Sequence, residues 1–483
     1  MIITFVLVTP RFDSLRLKLV LDDWATGLKA RRRKGPTPNE RVTPDPGRKP
    51  VRGFQSRIFA DRHQCGRLDR NIGQFDDQFP SMNTATISPL LAVATKKQRK
   101  IILAGFSVTR AVFRRITEMF QHFWLSKTGE KVIFGLSFAG SGVQSRAIRD
   151  GLPAHVCCLA LADDIEKLVR IGYIKPSWRD RAPKRGIVAR SITVIASRVH
   201  KGPSSPSEKR CKRFMDILTE NLAVITANPK SAGAARWNFL GLWSAARSGS
   251  VPFDEDFIRN ALEAKAKPEN APLCEKLEAD CDWIAFAFLK EVYLRAPLLP
   301  RDGRDATDVF VRQELGDVLI TYENEAILSQ MRGLPLDYCV PQTESNCLIE
   351  FPISVIDQNA AQDNVADIAH AFVEYCFGEE AQRTITEYGF RPVSEPIFQH
   401  VKERFPTPPL METVDDDYGG WGAVMRKFFA PGAIFDILFD QVARELLQRR
   451  RKQSRWGLWG SHIKISHEDS QLKPARTSLC RPA

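Results

Sequence analysis

KIILAGFSVTRAVFRRITEMFQHFWLSKTGEKVIFGLSFAGSGVQSRAIRD, residues 100–150, is the stretch on which the fold turns. Ile101, Ile102, Leu103, Ala104, Gly105 and Phe106 make an apolar run with the length of a buried strand. Val112, Ile116, Phe120 and Phe123 then recur at the spacing of one helix face. Lys131 to Phe138 reads as a second strand, and a glycine-rich turn opens a helix from Ser141 to Asp150. Strand, helix, strand, helix at this spacing predicts an α/β domain whose parallel-rich sheet is flanked by helices.

The pattern continues outward. Val156 to Leu161 reads as a third strand, followed by an acidic helix start at Asp163 and Asp164. Ala223 to Ala227 is a strand leading through a turn to a helix with Trp237, Leu240 and Trp243. Asp317 to Thr321 is another, running into a helix from Glu323 to Gln330. Residues 362–389 and 421–448 carry helical periodicity. Two α/β lobes with a cleft between them is the simplest arrangement. The expected division is a first lobe from 99–199 plus 350–440 and a second from 200–349. Within the second, 254–296 (Leu262, Leu273, Leu277, Trp283, Phe286) reads as an added helical hairpin, and 201–212 as a crossover loop. Residues 30–80, rich in Arg, Pro, Gly and Asp without apolar period, predict a disordered stretch inside a basic leader over 1–98. A basic tail is expected over 441–483.

The formal net charge of +13 first suggests a nucleic-acid or membrane partner. Its distribution removes that reading from the folded part. Residues 1–98 hold 18 Lys/Arg against 9 Asp/Glu, and residues 441–483 hold 10 against 3. The middle, 99–440, holds 42 against 45, so the core is slightly acidic and is not expected to bind nucleic acid. No run of apolar residues is long enough for a membrane span. The 10 cysteines form no CxxC pair and the histidines no ligand spacing, so neither a metal site nor a cofactor is expected.

Three segments share one design, a strand end followed by small residues and a helix start. They are Gly105 to Arg110, Ser137 to Gln144, and Asn228 to Trp237. Small residues let an anion approach the backbone, and a helix start offers unpaired N–H groups with a favourable dipole. None fits GxGxxG, GxxxxGKS or the GxSxG elbow, and no base or nucleophile clusters nearby, which argues against an enzyme. None contains Asp or Glu either. Neutral donors without an acceptor suit a protonless oxyanion such as sulfate and disfavour phosphate, whose proton needs an acceptor. Molybdate, differing chiefly in size, stays open.

VITANPKSAGAARWNFLGLW (224–243), FAGSGVQSRAIRDGL (138–152) and DVLITYENEAIL (317–328) resemble the sulfate-binding proteins of ABC importers, in particular the cyanobacterial and algal-plastid type. LALADDIEKL (159–168), LLPRDGRDATDVF (298–310), YGFRPVSE (388–395) and YGGWGAVMRKFFAPGAIFD (418–436) extend the likeness over about 99–440. The resemblance implies a two-lobe type II periplasmic-binding-protein fold with the ligand in the interlobe cleft. It implies a monomeric, non-catalytic carrier that delivers sulfate to ABC permease subunits and their ATPase. It places ligand contacts at Ser107, Ser141, Gly233, Ala234, Gly303 and Tyr322. Ser141, Gly233, Ala234 and Gly303 would act chiefly through backbone N–H, and Tyr322 through its hydroxyl. The family turn reads Ser-Gly-Gly where this chain has Ala232-Gly233-Ala234, which removes one hydroxyl donor and implies weaker affinity. The algal-type likeness implies a plastid location, with the periplasm as the alternative.

Overall fold

The computed structural model describes residues 98–199 and 211–463. The leader up to residue 97, the expected crossover loop up to residue 210, and residues 464–483 lie outside them.

The chain begins β1 (Gln98–Phe106), α1 (Arg110–Thr128), β2 (Lys131–Ala139), α2 (Ser141–Arg149), β3 (Val156–Cys158), α3 (Ala162–Arg170) and β4 (Ile187–Ser191). Next come β5 (Thr193–Arg198), α4 (Asp216–Thr219), β6 (Val224–Ile225), α5 (Gly233–Arg247), α6 (Glu255–Glu263), α7 (Ala271–Cys274) and α8 (Asp280–Leu294). Then follow α9 (Gly303–Arg312), β7 (Val318–Tyr322), α10 (Glu323–Met331), β8 (Leu336–Cys339), β9 (Asn346–Cys347) and β10 (Ile349–Val355). The last part holds α11 (Asp357–Gln362), α12 (Ala366–Tyr375), α13 (Glu379–Glu387), β11 (Arg391–Pro392), α14 (Glu395–Val401) and β12 (Met411–Glu412). It closes with α15 (Val414–Asp417), α16 (Gly420–Val424), a π-helical turn (Met425–Phe429) and α17 (Ile434–Ile463).

Two principal sheets result. The first has the order β11-β4-β10-β3-β1-β2 and the second β6-β7-β5-β8. The expected parallel units are present as β2, β1 and β3, and again as β6 with β7. Antiparallel strands extend both: β10 joins β3 to β4, and β5 lies between β7 and β8. The sheets are therefore mixed rather than parallel-rich. A single buried residue, Ile192, separates β4 of one sheet from β5 of the other. Buried Asn346 ties this crossing to the returning one, donating from Nδ2 to the Thr193 carbonyl at 2.8 Å.

The C-terminal part differs from expectation. The stretch 421–440, grouped with the first lobe from its sequence, packs on α5 and α8 next to the second sheet. Its aromatic residues find ring partners there: Trp421 meets Trp237 at 4.7 Å, Phe428 meets Trp243 at 5.0 Å, and Phe435 meets Tyr293 at 5.6 Å. Helix α8, from the expected hairpin, has Trp283, Phe288, Leu289 and Val292 essentially fully buried, so it forms core between α5 and α17. The stretch from 441, expected as a tail, continues α17 without a break to Ile463; neither Gly nor Pro interrupts it between Ile434 and Trp456.

Candidate anion-binding site

Strand register brings the turns to common edges. Phe106 pairs with Ala139 and Gly105 with Cys158, so β1, β2 and β3 end together. Their continuations are the short turn Ser107–Thr109, the α2 start at Gly140–Ser141, and the Leu159–Ala162 corner that opens α3. In the second sheet Ile225 pairs with Leu319 in parallel, so the turn after β6 and the end of β7 at Tyr322 share one edge. Carboxyl ends of strands followed by helix starts are where α/β folds bind ligands.

Contacts between the edges join most of the sequence-derived residues. A Cβ on Gly233 would lie 3.2 Å from Ala160 Cβ and 3.3 Å from Leu161 Cγ, so this glycine permits close approach of α5 to the first lobe. Trp237 Nε1 donates to the Ala160 carbonyl at 2.8 Å, fastening the same contact. Ala160 in turn donates its N–H to Ser141 Oγ at 3.0 Å. Ala234 meets Gly303, where an added Cβ would sit 3.6 Å from Ala234 Cβ. Helix α9, beginning at Gly303, also reaches the turn Ser107–Thr109 of the opposite lobe. Five of the six residues are thus linked through these helix starts. Tyr322 sits at the neighbouring sheet edge, 1% exposed, beside Phe351 at 5.9 Å between ring centroids. Its hydroxyl has no hydrogen-bond partner among the described residues. Burial raises its pKa well above the ordinary phenol value, and nearby Glu325 adds to this, so it remains a protonated donor.

The sequence did not indicate how nearby carboxylates are used. Ser141 Oγ donates to Asp164 Oδ2 at 2.6 Å, so this hydroxyl is committed within the protein and only the backbone N–H is left for a ligand. Lys167 Nζ lies 2.8 Å from both Asp163 and Asp164. Asp302 caps α9, accepting from the N–H groups of Arg304 and Asp305 at 3.0 Å each. Arg236 lies half-buried near the acidic pair; desolvation lowers its pKa, opposed by Asp164 and Asp163. Asp164 and Ala160 are the site-shaping residues that sequence reasoning missed. Both lie in LALADDIEKL, where the acidic pair reads as an ordinary helix start. No cluster suited to a metal ion occurs among the described residues.

At Ala232, the N-cap of α5, no side chain caps the helix. Ser231 cannot substitute for the missing hydroxyl, because its Oγ donates to the Arg301 carbonyl at 2.6 Å. The arrangement is a set of N–H and O–H donors beside Asp164, whose two oxygens are held by Ser141 and Lys167.

The bacterial extracellular solute-binding protein family matches residues 104–391. This chain belongs to that family. A sulfate-binding protein of Synechocystis sp. is 34% identical over 353 residues, covering 73% of this chain and 90% of its own length. One from Synechococcus elongatus is 33% identical over 376 residues, covering 76% and 96%. A solved sulfate-binding protein from Mycobacterium tuberculosis H37Rv superposes with a TM-score of 0.54 at 29% identity, covering 69% of this chain and all of its own. The family is one of extracellular binding proteins, and the two-lobed α/β architecture described above is its fold.

Proposed function

We propose that this chain captures sulfate in the interlobe cleft and delivers it, as a monomer and without a chemical step, to an ABC-type permease with its ATPase. Ser107 contacts the anion, Ser141, Gly233, Ala234 and Gly303 bind it chiefly through backbone N–H groups, and Tyr322 binds it through its hydroxyl. The observation that carries this reading is the meeting of helix starts from both lobes, at Gly233 against Ala160–Leu161 and at α9 against Ser107–Thr109. Helix N-termini stabilise a dianion without a cationic side chain at its surface. The engagement of both Asp164 oxygens, one by Ser141 and the other by Lys167, supports a ligand that only accepts hydrogen bonds. The names of the cyanobacterial relatives agree with it.

Calorimetric titration of the chain with sulfate, thiosulfate, phosphate and molybdate tests the proposal. Other relatives are named thiosulfate-binding proteins, which makes that ion the informative competitor. Sulfate should bind most tightly, and at 100 times its Kd should stabilise the fold by about 2.7 kcal/mol. Phosphate binding as tightly as sulfate at neutral pH would overturn the donor-only site. The algal-type likeness and the long extension ahead of the matched domain favour a plastid location over the periplasm, to be tested by fusing residues 1–98 to a fluorescent reporter.

A further inference from the structure

Helix α5 makes three different contacts on successive turns of one face, at Gly233, Trp237 and Gly241. Its start at Gly233 belongs to the site. One turn on, Trp237 is fully buried, and its indole N–H crosses to the first lobe to donate to the Ala160 carbonyl at 2.8 Å. One turn further, Gly241 seats the helix on the strand crossings. A Cβ there would lie 2.6 Å from Thr193 Oγ1 and 3.0 Å from Asn346 Oδ1. Thr193 Oγ1 also donates to the Trp237 carbonyl at 3.4 Å. One helix thus joins the anion site, the opposite lobe and the crossing strands.

The bond from Trp237 to Ala160 is placed to act on the ligand. Ala160 is 1% exposed, so removing the indole donor leaves its carbonyl buried and short of a partner. The Ala160 N–H donates to Ser141 Oγ at 3.0 Å, and Ser141 opens helix α2, which faces the site. The indole therefore holds the same peptide segment that orients Ser141. Trp421 packs edge-on against the Trp237 ring at 4.7 Å and 87°, fixing the direction of its N–H. The contacts with Trp421 and Thr193 lie on Trp237's own side of the cleft. The bond to Ala160 does not, and it breaks whenever the lobes part.

We propose that Trp237 is a positioning residue, a latch whose indole N–H, committed to Ala160, holds the two lobes closed over bound sulfate. This rests on the sulfate reading. A ligand enclosed between lobes leaves only after they separate, so losing the latch speeds release and changes association little. Leaving the Ala160 carbonyl buried and unpaired is worth about 5- to 150-fold in the closed population. Trp237→Phe keeps an aromatic ring and removes the N–H. Radiolabelled sulfate should leave the full chain carrying this substitution faster by that factor, with the association rate within about twofold of the original. The smaller ring also loosens the core, so a second measurement follows the bond itself. In the full chain carrying nitrogen-15-labelled tryptophan, the indole signal missing from Trp237→Phe identifies Trp237. With sulfate at 100 times its Kd, that N–H should exchange with solvent up to about a hundredfold more slowly than without it. Release unchanged by Trp237→Phe, or indole exchange equal with and without sulfate, would overturn the latch while the sulfate reading stands. Failure of the unaltered chain to bind sulfate would overturn both.

Discussion

Replacing Ala232 by Ser tests the site at the one position where this chain lacks a donor. Ala232 is 4% exposed and holds the N-cap of α5 with φ −113° and ψ 127°, the extended backbone that a serine cap adopts. A hydroxyl there can accept from the Ala235 N–H, leaving that of Ala234 to the ligand, and direct its own proton at the anion. The two roles separate in measurement. Capping strengthens the ligand-free protein by about 0.5–2 kcal/mol, read as a higher melting temperature without sulfate. A hydrogen bond to a charged ligand adds about 1.5–3 kcal/mol, which tightens Kd roughly 10- to 150-fold. Ser231 already donates to Arg301 and cannot mask the effect. Calorimetry of Ala232→Ser with sulfate, beside a melt of the ligand-free protein, gives both numbers. A higher melting temperature with sulfate affinity within about twofold of the original would show that the hydroxyl only caps the helix. Ala232 would then lie away from the anion.

Three further perturbations probe other parts of the argument. Gly233→Leu should nearly abolish sulfate binding in calorimetry while the melt stays cooperative, because even a β-carbon would sit 3.2 Å from Ala160 and a leucine holds the edges apart. Arg391→Met should destabilise the protein by about 3–5 kcal/mol in urea unfolding, since it strands the fully buried Glu323 carboxyl that Arg391 now binds bidentately at 2.6 and 2.9 Å. Adding Glu323→Gln to it should recover part of that loss. Glu344 accepts from the Phe214 and Met215 N–H groups at 2.6 and 3.3 Å, yet burial outweighs these bonds and pushes its pKa up to about 7. A carboxyl raised in the folded state binds its proton more tightly there, so its contribution is full below about pH 4.5 and is lost as pH rises through about 7. Urea midpoints of Glu344→Gln should therefore fall less than those of the parent between these values, and identical slopes would discard the assignment.

What the sequence disclosed and what it withheld follow from the range of each interaction. Strands β1 and β2 and helices α1 and α2 were legible because a run of apolar residues and a 3.6-residue period are local signals. Strand β10 was not. It carries Pro352 at the irregular step between Phe351 and Pro352, and proline in a run argues against a strand. The placement of 421–440 was hidden for another reason: its aromatic residues mark core but not which core, and Trp421 finds Trp237 far along the chain. At the site, the small residues correctly marked backbone approach, yet the reason for Gly233 is double. It frees an N–H at a helix start, and it also admits Ala160 and Leu161 from the other lobe. Ser141 shows the sharper limit. Its type announced a donor, but a hydroxyl has one proton, and only the fold reveals that Asp164, 23 residues away, takes it. The direction of such a bond determines whether a residue meets the ligand through its side chain or its backbone, and so which substitution would be felt there.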